Sequence, residues 1–299
     1  SSVTAMVSNV LHATTVTKES DEFADFGVGE TQEESMEDGN EVIDKTLEEK
    51  RRYIAQTTER VFRRSFDILT SLKDISSIVR VLQMISFYVE LLGPDIKPQL
   101  GILCEALPRI WTVASERVGD TEWFWLCRLY SSLATTLNHL VSRLNIVATG
   151  DPRVQGVIYP LLDHMFATKD IEETLATEAL GLWRTILASG SEAARPLVKH
   201  LPSLTRIMGR GEHYFLGFSI IEGMLILGFR SEVGEQWGRI VQCLRQSVLA
   251  ASPIARGDLD STVRKGSGTD FTRRATEDAL VATSLVSLLL QLYPTEMHT

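Results

Sequence analysis

The sequence predicts an all-α fold built from antiparallel helix pairs. No segment shows the sustained alternation of apolar and polar residues that is typical of half-buried strands. Apolar residues recur instead at helical spacing, and three stretches open with a proline and place a second proline before further apolar residues. The second prolines, Pro108, Pro160 and Pro202, lie 52 and 42 residues apart. A repeat of roughly 40–50 residues built from paired helices is typical of a HEAT/armadillo-type α-solenoid.

The first fifty residues differ in kind from the rest of the chain. Residues 1–15 predict an isolated amphipathic helix. Between Lys18 and Lys50 there are 13 acidic and 3 basic residues, whereas the remainder of the chain has 26 acidic and 27 basic residues. Because dense like charge with few apolar residues cannot bury a core, residues 16–50 predict an acidic disordered segment.

The main body of the chain, residues 51–249, predicts the HEAT/ARM-like helical repeats. Proline-free helices are expected to begin near residues 75, 122, 171 and 212, each with an apolar stripe at helical spacing. Just before them, a helical pattern carries a basic face at Arg60, Arg63 and Arg64. The regular return of proline-free helices is what makes a repeat array the expected architecture.

Each proline-bearing helix is expected to begin at its first proline, Pro98, Pro152 or Pro196, since proline in the first helical position loses no intrahelical bond. The second proline would lie inside the helix and bend it, because proline removes a backbone donor and displaces the carbonyl four residues earlier. Bends at matching places would let a curved stack keep its register. Asp151 and Ser191 are predicted to cap the helices that contain Pro152 and Pro196.

The carboxyl-terminal part of the chain breaks the repeat pattern. Residues 250–269 predict a flexible loop, because serine, proline, glycine and mixed charge replace the apolar stripe. Residues 270–293 predict a final solenoid helix. The most apolar stretch, Tyr214–Phe229, has 16 residues, fewer than the about 20 that span a bilayer, so no membrane insertion is expected.

Composition and spacing argue against several classes of function. The nearly neutral main body lacks the basic surface that direct nucleic-acid binding requires. The six histidines show neither an HExxH motif nor ligand spacing, and no Ser-His-Asp or Cys-His set can be proposed. The three cysteines have no CxxC pairing and predict buried, reduced thiols: Cys104, Cys127 and Cys243. The sequence therefore predicts no cofactor, no metal and no enzymatic activity.

Several motifs occur in an order that resembles a known family. The stretch Val81-Leu-Gln-Met-Ile-Ser-Phe-Tyr-Val-Glu-Leu-Leu-Gly93 leads into Ile96-Lys-Pro-Gln-Leu100 and Ala106-Leu-Pro-Arg-Ile-Trp111. Further on, Tyr159-Pro-Leu-Leu162 is followed by Glu178-Ala-Leu-Gly-Leu-Trp183. Over roughly residues 60–250 the chain resembles the C-terminal half of importin-β-type (karyopherin) nuclear transport receptors, closest to the importin seven/eleven branch.

This resemblance implies an armadillo-type superhelix that carries cargo proteins between cytoplasm and nucleus. It also implies contact with nucleoporins at the nuclear envelope and regulation by the small GTPase Ran. The domain that contacts Ran in the family has no counterpart in this sequence, so no Ran-binding residue can be carried over. The chain is therefore expected to be a portion of a longer receptor.

Two groups of charged residues are candidate partner-binding sites. An anionic group would attract cargo with basic signals, although it also fits a solvated linker: Glu33, Glu34, Glu37, Asp38 and Glu41. In solenoids one helix of each pair lines the concave recognition face, and the family's arrangement would assign this role to the proline-bearing helices. Their polar residues are then expected to face a cargo: Arg109, Arg153, Lys199 and Arg206.

The five tryptophans have two interpretations. At helical spacing tryptophan belongs more often to a core, so Trp111 and Trp183 are expected to be buried between helices. Trp123 and Trp125 stand at a helix start, where partial exposure is expected. Alternatively the tryptophans, Trp237 included, line a groove for phenylalanine-glycine repeats or cargo side chains.

These observations favour non-covalent cargo binding by a portion of a nuclear import receptor. The alternative is a HEAT-repeat scaffold or adaptor protein without a transport role.

Overall fold

The computed structural model describes residues 52–53, 56–57, 59–69, 72, 74–116, 123–251 and 281–289. The chain divides into two compact units, Ser1–Ile54 and Ala55–Thr299, and nearly all of the first unit lies outside the described residues. The predicted helix over 1–15 and the acidic segment over 16–50 therefore fall outside them, as do residues 252–269 of the predicted loop.

Within the described residues the ordered elements are helical and none is a strand, which confirms the all-α prediction. The helices are α1 (59–69), α2 (Ile75–Leu92), α3 (Leu100–Glu116), α4 (Trp123–Leu144), α5 (Ile146–Thr149), α6 (Pro152–Met165), α7 (Lys169–Leu187), α8 (Ser191–Ala194), α9 (Leu201–Gly209), α10 (Tyr214–Ile226), α11 (Arg230–Glu235), α12 (Trp237–Ala251) and α13 (281–289). Two 3₁₀ helices, Gly93–Gln99 and Arg195–His200, lead into α3 and α9.

The long helices pack in two sets that follow the order of the chain. In the proline-free set, α2 packs against α4, α4 against α7, and α7 against α10. In the proline-bearing set, α3 packs against α6, and α6 contacts the 3₁₀ helix that leads into α9. The two sets meet where α3 contacts α4 and where α6 contacts α7.

The apolar stripes that predicted these helices form the core. In α4, Leu129, Leu133, Leu137 and Leu140 are completely buried and lie three or four residues apart, on one side of the helix. Burying one leucine contributes about 1.5–3 kcal/mol relative to leaving it exposed. Packing of these stripes, rather than helix propensity, therefore holds the proline-free set together.

Side-chain caps begin two of the described helices, and one of the two caps predicted from the sequence is confirmed. The Asp74 carboxylate accepts a hydrogen bond from the Ser77 N–H at 2.9 Å and begins α2. The Asp151 carboxylate accepts from the Arg153 N–H at 2.9 Å and begins α6, which confirms that predicted cap. The prediction for Ser191 is wrong: it is the first residue of α8, and Gly190 precedes it without a side-chain cap.

The proline pattern is only partly as predicted. Pro108 and Pro160 lie inside α3 and α6. Pro202, however, occupies the first turn of α9, and Pro98 and Pro196 belong to the 3₁₀ helices rather than to α-helix starts. A first-turn proline removes no intrahelical bond, so the predicted bend does not apply at Pro202.

By length and composition, one helical run among the described residues could cross a membrane: Ile75–Glu116, which contains an 18-residue window with a mean hydropathy of 1.5. The structure interrupts this run with the 3₁₀ helix at Gly93–Gln99. The two halves differ in their main neighbours, since α2 packs chiefly against α4 and α3 chiefly against α6. Core helices of globular proteins pass the same test, and the expected absence of membrane insertion stays a prediction.

Candidate partner-binding site

The anionic candidate residues lie outside the described part of the chain: Glu33, Glu34, Glu37, Asp38 and Glu41. Their role in partner binding stays a prediction. The four cationic candidates are all described, all exposed, and all located on the proline-bearing set or the 3₁₀ helix beside it. What distinguishes them is the group that each one already contacts.

Two of the four cations are paired with carboxylates close to them. Arg153 donates two hydrogen bonds to Asp151, Nε to Oδ1 at 3.1 Å and Nη2 to Oδ2 at 2.8 Å. The hydrogen bonds from Arg153 hold the pKa of Asp151 well below its ordinary value. Lys199 Nζ lies 2.7 Å from Oδ1 of Asp163, which also contacts the ring Nε2 of His200 at 2.8 Å. A partner anion would have to compete with these internal carboxylates.

Arg206 contacts a carboxylate that is completely buried. Glu172, in the first turn of α7, has no exposed side-chain surface and is flanked by Arg206 and Arg210. Arg206 donates through Nη2 to Oε2, and Arg210 Nη1 donates to Oε1 at 2.8 Å. Burial alone would raise the pKa of Glu172, but the hydrogen bonds and charges of the two arginines outweigh it and lower that pKa. This cluster ties α7 to α9 and is first of all a structural element.

Arg109 is the cation that the structure leaves available. It makes no ion pair within the described residues, and it lies at the edge of an open groove of about 640 Å³ between α1, α2 and α3. The apolar walls are formed by Phe66, Leu69, Leu72, Ile78, Ile102, Ala106, Ile110 and Val113. Charged groups of both signs line it as well: Arg63, Asp67, Glu105 and Arg109.

The groove brings one predicted site residue together with residues that had no assigned role. The basic face at Arg60, Arg63 and Arg64 is exposed, and Arg63 lines the groove while pairing with Glu59 at 3.0 Å. Sequence patterns identified α1 and α3 separately. They could not show that α1 and α3 line one groove, because that arrangement depends on the turns that join the helices.

The tryptophans divide differently from the prediction. Trp183 is buried as expected, and Trp123 is exposed at the start of α4 as expected. Trp111 is only half-buried, with its ring 6.1 Å from that of Tyr130 and 6.2 Å from that of His164. It therefore lies at the margin of the core where α3, α4 and α6 meet.

Two reactive groups among the described residues, the Ser86–His139 contact and the Cys104 thiol, lack the arrangement that catalysis would require. Ser86 Oγ lies 3.2 Å from Nδ1 of His139, and Glu90 approaches that same nitrogen at 3.9 Å. A serine–histidine–acid relay needs the serine and the acid on opposite ring nitrogens. Burial, together with the nearby Asp151, raises the pKa of Cys104 to about 12, so this thiol stays protonated at neutral pH.

The described residues contain no group of three or more histidine, cysteine or acidic side chains placed to hold a metal ion. All three cysteines are free and buried, as the sequence predicted. Comparisons with protein-family models, with curated proteins and with solved structures found no match to the chain. The importin-β likeness thus remains a resemblance of sequence motifs.

Proposed function

We propose that the chain binds partner proteins non-covalently along a HEAT/armadillo-type α-solenoid formed by its helix pairs. The observation that supports this proposal is the packing order: the proline-free helices α2, α4, α7 and α10 contact one another in the order of the chain, and α3 contacts α6, which contacts the 3₁₀ helix leading into α9. Stacks of this kind grow along one axis and offer an extended surface to other macromolecules.

Within this array the groove between α1, α2 and α3 is the proposed primary contact. Its volume of about 640 Å³ lies in the range of pockets that hold several side chains of a ligand. Apolar walls would bury an anchoring side chain, and Arg109, which forms no ion pair with a carboxylate of the described residues, would pair with an acid of the partner. Arginine is enriched at binding hot spots because its planar guanidinium can donate two hydrogen bonds to one carboxylate.

The more specific role is that of a portion of a nuclear import receptor. This proposal rests on the sequence resemblance, which implies cargo proteins, the small GTPase Ran and nucleoporins as partners. It also implies a location in cytoplasm and nucleus and at the nuclear envelope. The alternative is a HEAT-repeat scaffold or adaptor, which would use the same groove without Ran regulation.

Binding is tested with a charge reversal at the groove and a matched control. Partners captured by the chain are identified, purified, and titrated against wild type, Arg109→Glu and Arg80→Glu. Arg80 is an exposed arginine of α2 that does not line the groove. The proposal expects at least a tenfold loss of affinity for Arg109→Glu and little change for Arg80→Glu. Equal effects of the two reversals would refute the assignment of the groove.

The transport role is tested separately by adding GTP-loaded Ran to the natural full-length protein with its partner bound. A carrier releases its import cargo when Ran-GTP binds. Retention of the partner at saturating Ran-GTP would instead favour the scaffold.

A further inference from the structure

A second pocket lies between α4 and α7, both of the proline-free set. It has a volume of about 430 Å³ and none of its residues contributes to the groove at α1, α2 and α3. The lining is Asn138, Val141, Ser142, Asn145, Gly181, Arg184, Thr185 and Ala188. It contains one cation, two carboxamides and two hydroxyl groups, and no acidic residue. The pocket is therefore rich in hydrogen-bond donors and carries a net positive charge.

The polar groups of this pocket are held in position by contacts with their neighbours. Thr185 Oγ1 donates a hydrogen bond to Oδ1 of Asn138 at 2.5 Å, which leaves the amide nitrogen of Asn138 as a donor. The guanidinium of Arg184 lies 5.2 Å from the centre of the Phe215 ring on α10, a cation–π contact that restricts its orientation. Arg184 makes no ion pair within the described helices.

The backbone at Asn145 supplies an independent observation. Its φ of 48° and ψ of −124° nearly equal those of Gly93, which ends α2 with φ 54° and ψ −128°. The other helices of the proline-free set, α7 and α10, are followed by Gly190 and Gly228, also at positive φ. This conformation is easy for glycine and strained for a residue with a side chain. Asn145 thus occupies a position that glycine fills at the ends of α2, α7 and α10, and of these four helix ends it is the one that lines the pocket.

We propose that this pocket binds a carboxylate, with Arg184 supplying the charge and Asn138, Ser142 and Asn145 supplying further hydrogen bonds. A single guanidinium matches the single negative charge and the two oxygens of a carboxylate, whereas a phosphate dianion would leave charge uncompensated. The pocket is much larger than one carboxylate, so the group belongs to a larger molecule. Two sources share this chemistry: a small organic acid, and a glutamate side chain of a bound peptide.

The test measures binding of four probes to the full chain by ¹H–¹⁵N NMR, following the side-chain amide signals of Asn138 and Asn145. The probes are 4-acetamidobutyrate, which carries one carboxylate, its uncharged isostere 4-acetamidobutanamide, the peptide acetyl-Ala-Glu-Ala-amide, and inorganic phosphate. We expect the two carboxylates to bind at least tenfold more tightly than the isostere and than phosphate. A peptide that binds at least tenfold better than 4-acetamidobutyrate identifies a peptide side chain as the source, and a smaller preference, equality or the reverse identifies a small acid.

Two variants and a control make the result specific. Arg184→Gln and Asn145→Gly are each expected to weaken carboxylate binding at least tenfold, while Arg143→Gln, at an exposed arginine of α4 outside the pocket, leaves it unchanged. Because glycine relieves the backbone strain, Asn145→Gly should show a Tm equal to or higher than that of wild type. The proposal is overturned if the wild-type chain binds no carboxylate or binds the isostere equally well. It is overturned as well if Asn145→Gly binds the carboxylates as tightly as wild type or has a lower Tm.

Discussion

Replacing Glu172 with glutamine tests whether the buried carboxylate holds α7 to α9. The substitution preserves the size of the side chain but removes its charge, and it places an amide donor against the donors of Arg206 and Arg210. Removing one partner of a buried ion pair costs about 3–5 kcal/mol when the remaining charge stays buried. Arg206 is 55% exposed and Arg210 24% exposed, so both can regain part of their hydration.

We therefore expect a loss of about 3 kcal/mol in the free energy of unfolding for Glu172→Gln, at the lower end of that range. For a unit of this size that loss lowers Tm by roughly 6–12 °C. The control is Glu173→Gln, which removes an exposed carboxylate that lies 3.6 Å from Lys169. An exposed pair of this kind contributes about 0–1 kcal/mol.

Urea unfolding followed by circular dichroism measures both variants under the same conditions. We expect the free energy of unfolding to be clearly lower for Glu172→Gln than for Glu173→Gln, because only the Glu172 side chain is completely buried. If Glu172→Gln and Glu173→Gln differ by less than about 0.5 kcal/mol, the cluster at Glu172 does not hold α7 to α9.

Three further predictions follow from other contacts. Because the pKa of Glu172 is lowered on folding, its contribution to the free energy of unfolding is present above pH 4.5 and lost as pH falls through the folded pKa. The free energy of unfolding, measured from pH 7 to 3, should therefore fall less steeply with decreasing pH in Glu172→Gln than in wild type. A Cβ on Gly217 would meet Cγ of Met208 at 2.7 Å, so Gly217→Ala should lower the free energy of unfolding by about 1–3 kcal/mol. A Cβ on Gly156, within α6, would lie in open space, so Gly156→Ala should raise the free energy of unfolding by about 0.5–1 kcal/mol in the same urea experiment. The buried thiols, Cys104 among them, should resist Ellman's reagent at pH 8 until urea unfolds the chain, and rapid reaction in the native state would contradict their burial.

The helices of the proline-free set could be predicted because their signals are local. The expected starts near 75, 122, 171 and 212 compare with observed starts at Ile75, Trp123, Lys169 and Tyr214. Each signal came from apolar residues three or four positions apart, and the same residues are buried in the structure. Periodicity is reliable here because these helices are long and each has one continuous apolar side.

The proline-bearing helices were harder to predict because their first turns differ in kind. Pro152 begins an α-helix directly, with Asp151 as its cap. Pro98 and Pro196 instead lie in 3₁₀ helices, whose hydrogen bonds join residues three apart rather than four. Both kinds of helix accept the fixed φ of proline, so proline alone does not decide between them. The choice between the two depends on how the preceding turn meets the neighbouring helix, and that information is not local.

The four cations of the proline-bearing set show why exposure alone does not identify a binding residue. All four are exposed, yet Lys199 and Arg206 contact carboxylates that lie 36 and 34 residues earlier in the chain. One signal was visible in the sequence: Glu172 stands among the apolar residues of α7, and an acid on an apolar stripe requires a cation to accompany it into the core. Arg206 on α9 supplies that cation. Arg109 has no such acid among the described residues, so it is the cation of the four whose charge remains for a partner.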